Sequence, residues 1–145
     1  MAIDLVGALR RILVNTHILV AGRTQPLEVS VTSAANVGDV TIATVTGQPC
    51  IIDAVIIHAD TAQTVDLTSC AVYAGAAKVL TLIGPGIAAQ ANLNAIDAQV
   101  SETGLGIRLA VGKTLVMTLI GTGGTAVDLT VTILLRASVD GGYLV

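Results

Sequence analysis

Leu105-Gly-Ile-Arg-Leu-Ala-Val-Gly112-Lys113-Thr-Leu-Val-Met-Thr-Leu-Ile-Gly121-Thr122-Gly-Gly-Thr125-Ala-Val-Asp-Leu-Thr-Val-Thr-Ile-Leu-Leu-Arg136 is the stretch whose reading decides the fold. Apolar and polar residues alternate along it with a period of two, the period at which side chains on a strand switch faces. Gly112-Lys113 and Thr122-Gly-Gly-Thr125 punctuate it, so it reads as three consecutive antiparallel strands. Leu115, Met117, Leu119, Val127, Leu129, Val131, Ile133 and Leu135 are expected in the core. The opposite row, Thr114, Val116, Thr118, Asp128, Thr130, Thr132 and Arg136, is short, β-branched and sparsely charged. That row is where a neighbouring subunit is expected.

The same period extends upstream. Leu27, Val29 and Val31 alternate with Glu28, Ser30 and Thr32; Val40 and Ile42 alternate with Thr41 and Ala43. Cys50 to His58 is almost continuously apolar, broken only by Asp53, which predicts a strand covered on both faces: a central strand or one at a subunit contact. Leu67 to Ala74 and Lys78 to Ile83 make the next pair. Between Gly84-Pro-Gly86 and Gly104, the Ala- and amide-rich run Ile87 to Asp97 suits a short helix or a packed loop. About eight strands at roughly ten-residue spacing predict an all-β, single-domain sandwich, a jelly roll of about eight strands in two sheets. An immunoglobulin-like sandwich is the second choice, weakened by the missing core Trp and by the cysteine spacing.

Outside the sandwich pattern lie only the two ends. Leu5, Leu9, Ile12 and Leu13 fall at helical spacing, with Asp4 in an N-cap position and Arg10-Arg11 on the other face. The expected organisation is an N-terminal arm with a short amphipathic helix over 1–26, the sandwich over 27–137 and a C-terminal tail over 138–145. A strand over His17 to Ala21 is the alternative within the arm.

Composition narrows function. The chain has 145 residues, net charge −3, no Trp or Phe, and only Tyr73 and Tyr143 as aromatics. A chain of this size buries about 68–70% of its unfolded surface without staples, here with Val, Ile, Leu and Ala. Few stacking platforms and a pI near 5.0 argue against nucleic-acid binding, which asks for aromatic faces and a basic surface. No run of about 18 apolar residues is uninterrupted. The nearest, Ile3 to Val20, contains Asp4, Arg10, Arg11, Asn15 and His17, and its charges sit in the middle, unlike a secretory signal. A soluble protein made in the cytoplasm is expected, whose apolar surface is covered in an oligomer or larger assembly.

No cofactor, metal or catalytic set is expected. Two residues apart on a strand, His58 and Asp60 point the same way, the best metal-like pair, but they lack a third ligand and read as a polar strand end. Two histidines and no Gly-x-Ser-x-Gly elbow leave a catalytic triad unsupported. The acids are scattered, and Asp39, Asp60, Asp66 and Asp140 read as solvated turn positions. Glycines at 84–86, 104–106 and 121–124 precede no helix with a Lys-Thr or Lys-Ser pair, so they read as hairpin and bulge residues rather than phosphate loops. Cys50 and Cys70 read as buried free thiols, with a single bridge between neighbouring strands as the alternative. Asp53, Asp128 and Arg136, charges set among apolar strands, are the expected interfacial charges.

Gly47-Gln-Pro-Cys-Ile-Ile-Asp-Ala-Val-Ile-Ile-His-Ala-Asp60, Asp66-Leu-Thr-Ser-Cys-Ala-Val-Tyr-Ala-Gly-Ala-Ala-Lys-Val79 and Gly121-Thr-Gly-Gly-Thr-Ala-Val-Asp-Leu-Thr-Val-Thr-Ile133, with Val139-Asp-Gly-Gly-Tyr-Leu144, resemble small structural proteins of tailed bacteriophages. Within that group the chain is most similar to capsid decoration, or cement, proteins, in texture over most of 40–144 and without a diagnostic motif. The resemblance implies a non-enzymatic virion protein on the capsid exterior, with the major capsid protein and itself, as dimer or trimer, for partners. It transfers no functional residues. The candidate interface is Leu5, Leu9, Arg10, Arg11, Asp53, Asp128, Arg136 and Tyr143. A head–tail or tail component of a phage particle and a carbohydrate-binding jelly-roll module are the alternatives, the latter requiring an exposed aromatic.

Overall fold

A computed structural model describes residues 24–34, 38–64, 66–84, 93–122, 126–138 and 143–144. Among these residues nine strands are formed: β1 (Gln25–Ala34), β2 (Asp39–Thr46), β3 (Cys50–Ala59), β4 (Asp66–Ala74), β5 (Leu80–Ile83), β6 (Gln99–Leu109), β7 (Thr114–Thr122), β8 (Ala126–Ala137) and β9 (Tyr143–Leu144). They make two antiparallel sheets, one ordered β1-β8-β3-β6 and the other β5-β4-β7-β2-β9. The chain changes sheet at every connection from β1 to β8 except β4 to β5. Strands adjacent in sequence therefore face each other across the core, and the eight main strands wind as a jelly roll.

The three strands from Gln99 to Ala137 are a correction to the sequence reading. They are strands, but not a meander: β6 pairs with β3, β7 with β4 and β2, and β8 with β1 and β3. Alternation shows which face a residue uses and carries no information about its neighbours in the sheet. The same crossing splits the expected outer row. Thr114, Val116 and Thr118 lie on the outer face of one sheet, while Asp128, Thr130, Thr132 and Arg136 lie on the outer face of the other, with the core between them. All eight expected core residues, Leu115 to Leu135, are buried.

Sandwiched between β8 and β6, β3 is the central strand that its apolar run predicted. Its alternation breaks at one point. Cys50 and Ile52 face the core, Ile51 and Asp53 face out, and then Ala54 and Val55 are both buried before alternation resumes with Ile56 and His58 outward. The register against β8 runs Ile52↔Leu135, Ala54↔Leu134, which leaves Asp53 as the extra residue of a β-bulge. The bulge inverts parity, so Cys50 and His58, although an even number of residues apart, point to opposite faces.

Other boundaries moved less. β5 begins at Leu80 because Lys78 adopts φ 55, a turn conformation that ends the β4–β5 connection. Residues 93–97 form turns with Leu93 buried; 85–92, the rest of the run expected as a short helix or packed loop, lie outside the described residues. The expected N-terminal helix also lies outside them. β9 pairs Tyr143 with Thr46 and Leu144 with Val45, joining the tail's backbone to its own β2.

Candidate functional site

Jelly-roll geometry leaves two outer sheet faces and two ends. On the outer face of the β1-β8-β3-β6 sheet, the bulge aims Asp53 at β8, where Arg136 Nε donates to its Oδ2 at 3.1 Å. Thr24 Oγ1 donates to the same oxygen at 3.4 Å. At the other end of β3, His58 Nδ1 lies 3.0 Å from Asp60 Oδ1, and Thr130 Oγ1 donates to Asp60 Oδ2 at 2.6 Å. The Thr130 bond first, and His58 second, hold the Asp60 carboxyl below the usual carboxylate range. Asp128 belongs to this second group: its N–H donates to Gln63 Oε1 at 2.8 Å, and Gln63 Nε2 donates to its carbonyl at 3.0 Å. These contacts tie β3 to β8 at both ends of the face.

The outer face of the other sheet is closed by one long side chain. Lys78 Nζ reaches Asp39 Oδ1 at 2.6 Å, and Thr118 Oγ1 donates to the same atom at 2.9 Å. Lys78 follows β4 and Asp39 opens β2, so the pair bridges two strands separated by β7. Val116, an outward residue paired across the strands with Tyr73, is only 4% exposed. Tyr73 lies under the ammonium, 5.9 Å from its ring centre. The Lys78 bond, then the Thr118 bond, hold the pKa of the Asp39 carboxyl below its ordinary 3.8. Asp39, Asp60 and Asp66, expected as merely solvated, thus each hold a partner; Asp66 Oδ1 accepts from Asn94 Nδ2 at 3.1 Å.

One end of the sandwich carries a cleft of about 640 Å³ between the β4–β5 and β6–β7 connections, lined by Ala74 to Ala77, Val79, Leu80, Arg108 to Ala110 and Gly112 to Thr114. Val79, in the first of these connections, is 88% exposed, and Val111, in the second, 51%. Neither Arg108 nor Lys113 makes an ion pair among the described residues. The opposite end holds the 93–98 turn, with Ile96 58% exposed. Sequence reading missed both features. Their signal was apolar residues inside turns, Val79 after Gly75-Ala-Ala-Lys78, Val111 before Gly112-Lys113, and Ile96 before Asp97.

Of the expected interface residues, Asp53 and Arg136 come together, while Asp128 sits eight residues away along β8, some 26 Å at strand rise. Tyr143 contributes backbone pairing to β2. Leu5, Leu9, Arg10 and Arg11 lie outside the described residues. Cys50 and Cys70 are buried thiols, pushed up by desolvation to about 11 and about 12, which makes them poor nucleophiles. Among the described residues no group of three or more His, Cys, Asp or Glu is placed to hold a metal ion. Gly112, at φ 82, closes the β6–β7 turn, and Gly104, at φ 70, sits at the irregular point of β6; both are turn and bulge glycines, as their spacing predicted.

These faces and ends define a jelly-roll β-sandwich whose described chemistry is on its surface. No protein-family model matches the sequence, and no curated protein matches it. Among solved structures, a chain of the cyanophage Pam1 capsid asymmetric unit is similar with a TM-score of 0.53 at 15% identity, over 81% of this chain and 86% of that one. The two share a fold over nearly their whole lengths. A chain of the acid-stable capsid of Helicobacter pylori bacteriophage KHP30 gives a TM-score of 0.38 at 11% identity over 85% and 98%. The VP2 subviral particle of infectious bursal disease virus gives 0.33 at 12% identity, over 86% of this chain and 40% of that one. The last two likenesses are too slight to support an argument.

Proposed function

We propose that this chain is a non-enzymatic structural protein of a tailed-phage particle, a decoration protein. In this reading it binds the outside of the capsid as a symmetric oligomer and stabilises contacts between major capsid protein subunits. It is made in the host cytoplasm and ends on the virion exterior. The observation that carries the reading is the jelly-roll fold held in common, over most of both chains, with a chain of a cyanophage capsid. The surface supports it. Short β-branched and Ala side chains lose little rotamer entropy on contact, and many weak identical contacts on a lattice multiply through avidity.

Residues 1–26 and 138–145 serve in this reading as contact segments at the two ends of the chain, entering the sheets only at β1 and β9, with Leu5, Leu9, Arg10, Arg11 and Tyr143 among the contacting residues. Asp53, Asp128 and Arg136 contribute from the outer sheet face. A carbohydrate-binding module is disfavoured by Tyr73, which lies half-buried beneath Lys78 instead of standing free as a stacking platform.

The test is to add purified protein to capsids of its own particle that lack it and to image them. Density following the capsid symmetry on the outer surface is the expected result. Protein found nowhere on the outer lattice overturns the reading.

A further inference from the structure

The two ends of the sandwich differ in charge. All four described lysines and arginines, Lys78, Arg108, Lys113 and Arg136, lie toward the end bearing the cleft, where Lys78 is paired with Asp39 and Arg136 with Asp53, leaving Arg108 and Lys113 as the cations without an ion pair among the described residues. Asp60, Asp66, Asp97 and Asp128 lie at the other, where Asp60 N–H donates to the Asp128 carbonyl, Asp66 is paired with Thr122 and Asp97 N–H donates to the Ala59 carbonyl. Large exposed apolar residues follow the same division: Val79, Leu80 and Val111 at the basic end, Ile96 and Ile120 at or near the acidic one.

The 93–98 turn that presents Ile96 is held from several directions. Leu93 is buried as its anchor. Asp97 N–H donates to the Ala59 carbonyl and Ala59 N–H to the Ala98 carbonyl, both at 2.9 Å; Gln63 N–H donates to the Asn94 carbonyl at 3.0 Å. The Asn94 side chain accepts from Leu67 N–H at 2.9 Å and donates to Asp66. Asp97 takes φ 61 to complete the turn, a conformation open to Asp at some cost. An apolar side chain held out by a turn so fixed loses little further entropy when it enters a partner.

The turn and the cleft occupy the two ends of one strand, β6, at most about 36 Å apart at strand rise. The knob is apolar with a carboxylate next to it. The hole is lined by Ala, Val and Leu with two uncompensated cations at its rim. We infer that the cleft receives the Ile96 turn of a second copy of this chain, with Asp97 meeting Lys113 or Arg108, in a head-to-tail contact that closes the oligomer as a ring. The inference rests on the reading of the protein as a symmetric oligomer and names the surface that builds it. Because knob and hole are different patches, the contact is heterologous and closes only where its rotation does.

The test uses the full chain and two variants, Ile96→Asp, which removes the knob, and Val79→Asp, which charges the hole. Both sites are solvent-exposed, and circular dichroism checks that each variant keeps its β structure. Light scattering on a sizing column should give an oligomer of defined mass for the unaltered protein and monomers for both variants at about 100 μM, a concentration that populates contacts of micromolar affinity. Mixing the two variants should then form a dimer, since one intact hole and one intact knob remain. This rescue also shows that neither variant was simply misfolded. An unaltered protein that is monomeric at that concentration, variants that keep its oligomeric mass, or a mixture that stays monomeric would each overturn the contact. Open filaments would keep the contact and overturn the closed ring. Binding to capsids by a protein that fails this test would overturn the head-to-tail contact alone and leave the capsid reading standing.

Discussion

β8 and β3 lie side by side in one sheet, yet they translate sequence into faces differently. In β8 every second residue from Val127 to Ala137 is buried and every one between is half-exposed, without a break. In β3 the same rule holds on both sides of Asp53 and fails at it, because one residue more than β8 can pair is accommodated as a bulge. The comparison teaches that a strand's period is a local property until a bulge resets it, and that the reset belongs to the register between two strands, which no single strand reveals.

Deleting one residue from each strand gives the largest contrast. Loss of Thr132 from β8 moves half of its inward row to the outer face, and the variant is expected to lose its cooperative folded state, seen as loss of a sharp thermal transition. Loss of Asp53 from β3 removes the unpaired residue, aligns Ile52 and Ala54 with Leu135 and Leu134, and leaves Val55, Ile57 and Ala59 facing inward. That variant is expected to fold, at the cost of the Arg136 ion pair, a half-exposed contact of about 0.2–1 kcal/mol. Equal unfolding by both deletions would break the comparison.

Point truncation sharpens it within β8. Ile133 is buried under the opposite sheet, and Ile133→Ala should destabilise by about 2–5 kcal/mol through lost burial and a residual cavity. Leu134 is its immediate neighbour on the half-exposed outer face, and Leu134→Ala should cost clearly less by the same denaturant titration. Comparable losses would mean that the outer face is itself covered in solution.

Much of the sandwich was legible because its signal is local. The core row from Leu115 to Leu135, the central position of β3, and the turn glycines follow from periodicity and residue type alone. Strand neighbours were not legible, because Gly112-Lys113 looks the same whether it closes a hairpin or carries the chain to the other sheet. The row Thr114 to Arg136 was therefore read as one surface when it is two. Ion pairs across the sheets were illegible for the same reason: Lys78 and Asp39 are far apart in sequence and meet only because β7 lies between β4 and β2. The Ile96 turn and the cleft lacked a periodic signal altogether, since each is assembled from short connections that the fold brings together.

The smallest predicted effect probes how β3 and β8 are joined beyond the bulge. Asp60, at the end of β3, accepts from Thr130 of β8 and lies against His58, and both lower its pKa from 3.8 in the folded chain. A carboxyl whose folded pKa is depressed adds stability that is present above its unfolded pKa and is lost as pH falls through the folded value. Asp39, lowered by Lys78 and Thr118, acts in the same direction from the other sheet. Stability should therefore fall on acidification below about pH 4. Asp60→Asn keeps a hydrogen-bond acceptor for Thr130 but removes the titration, so its denaturation midpoint should be slightly lower at pH 7 and should change less between pH 5 and pH 3 than that of the unaltered protein. An identical acid dependence in the two proteins would mean that the Thr130–Asp60 bond makes no net contribution, leaving backbone pairing alone to hold β3 against β8 at this end.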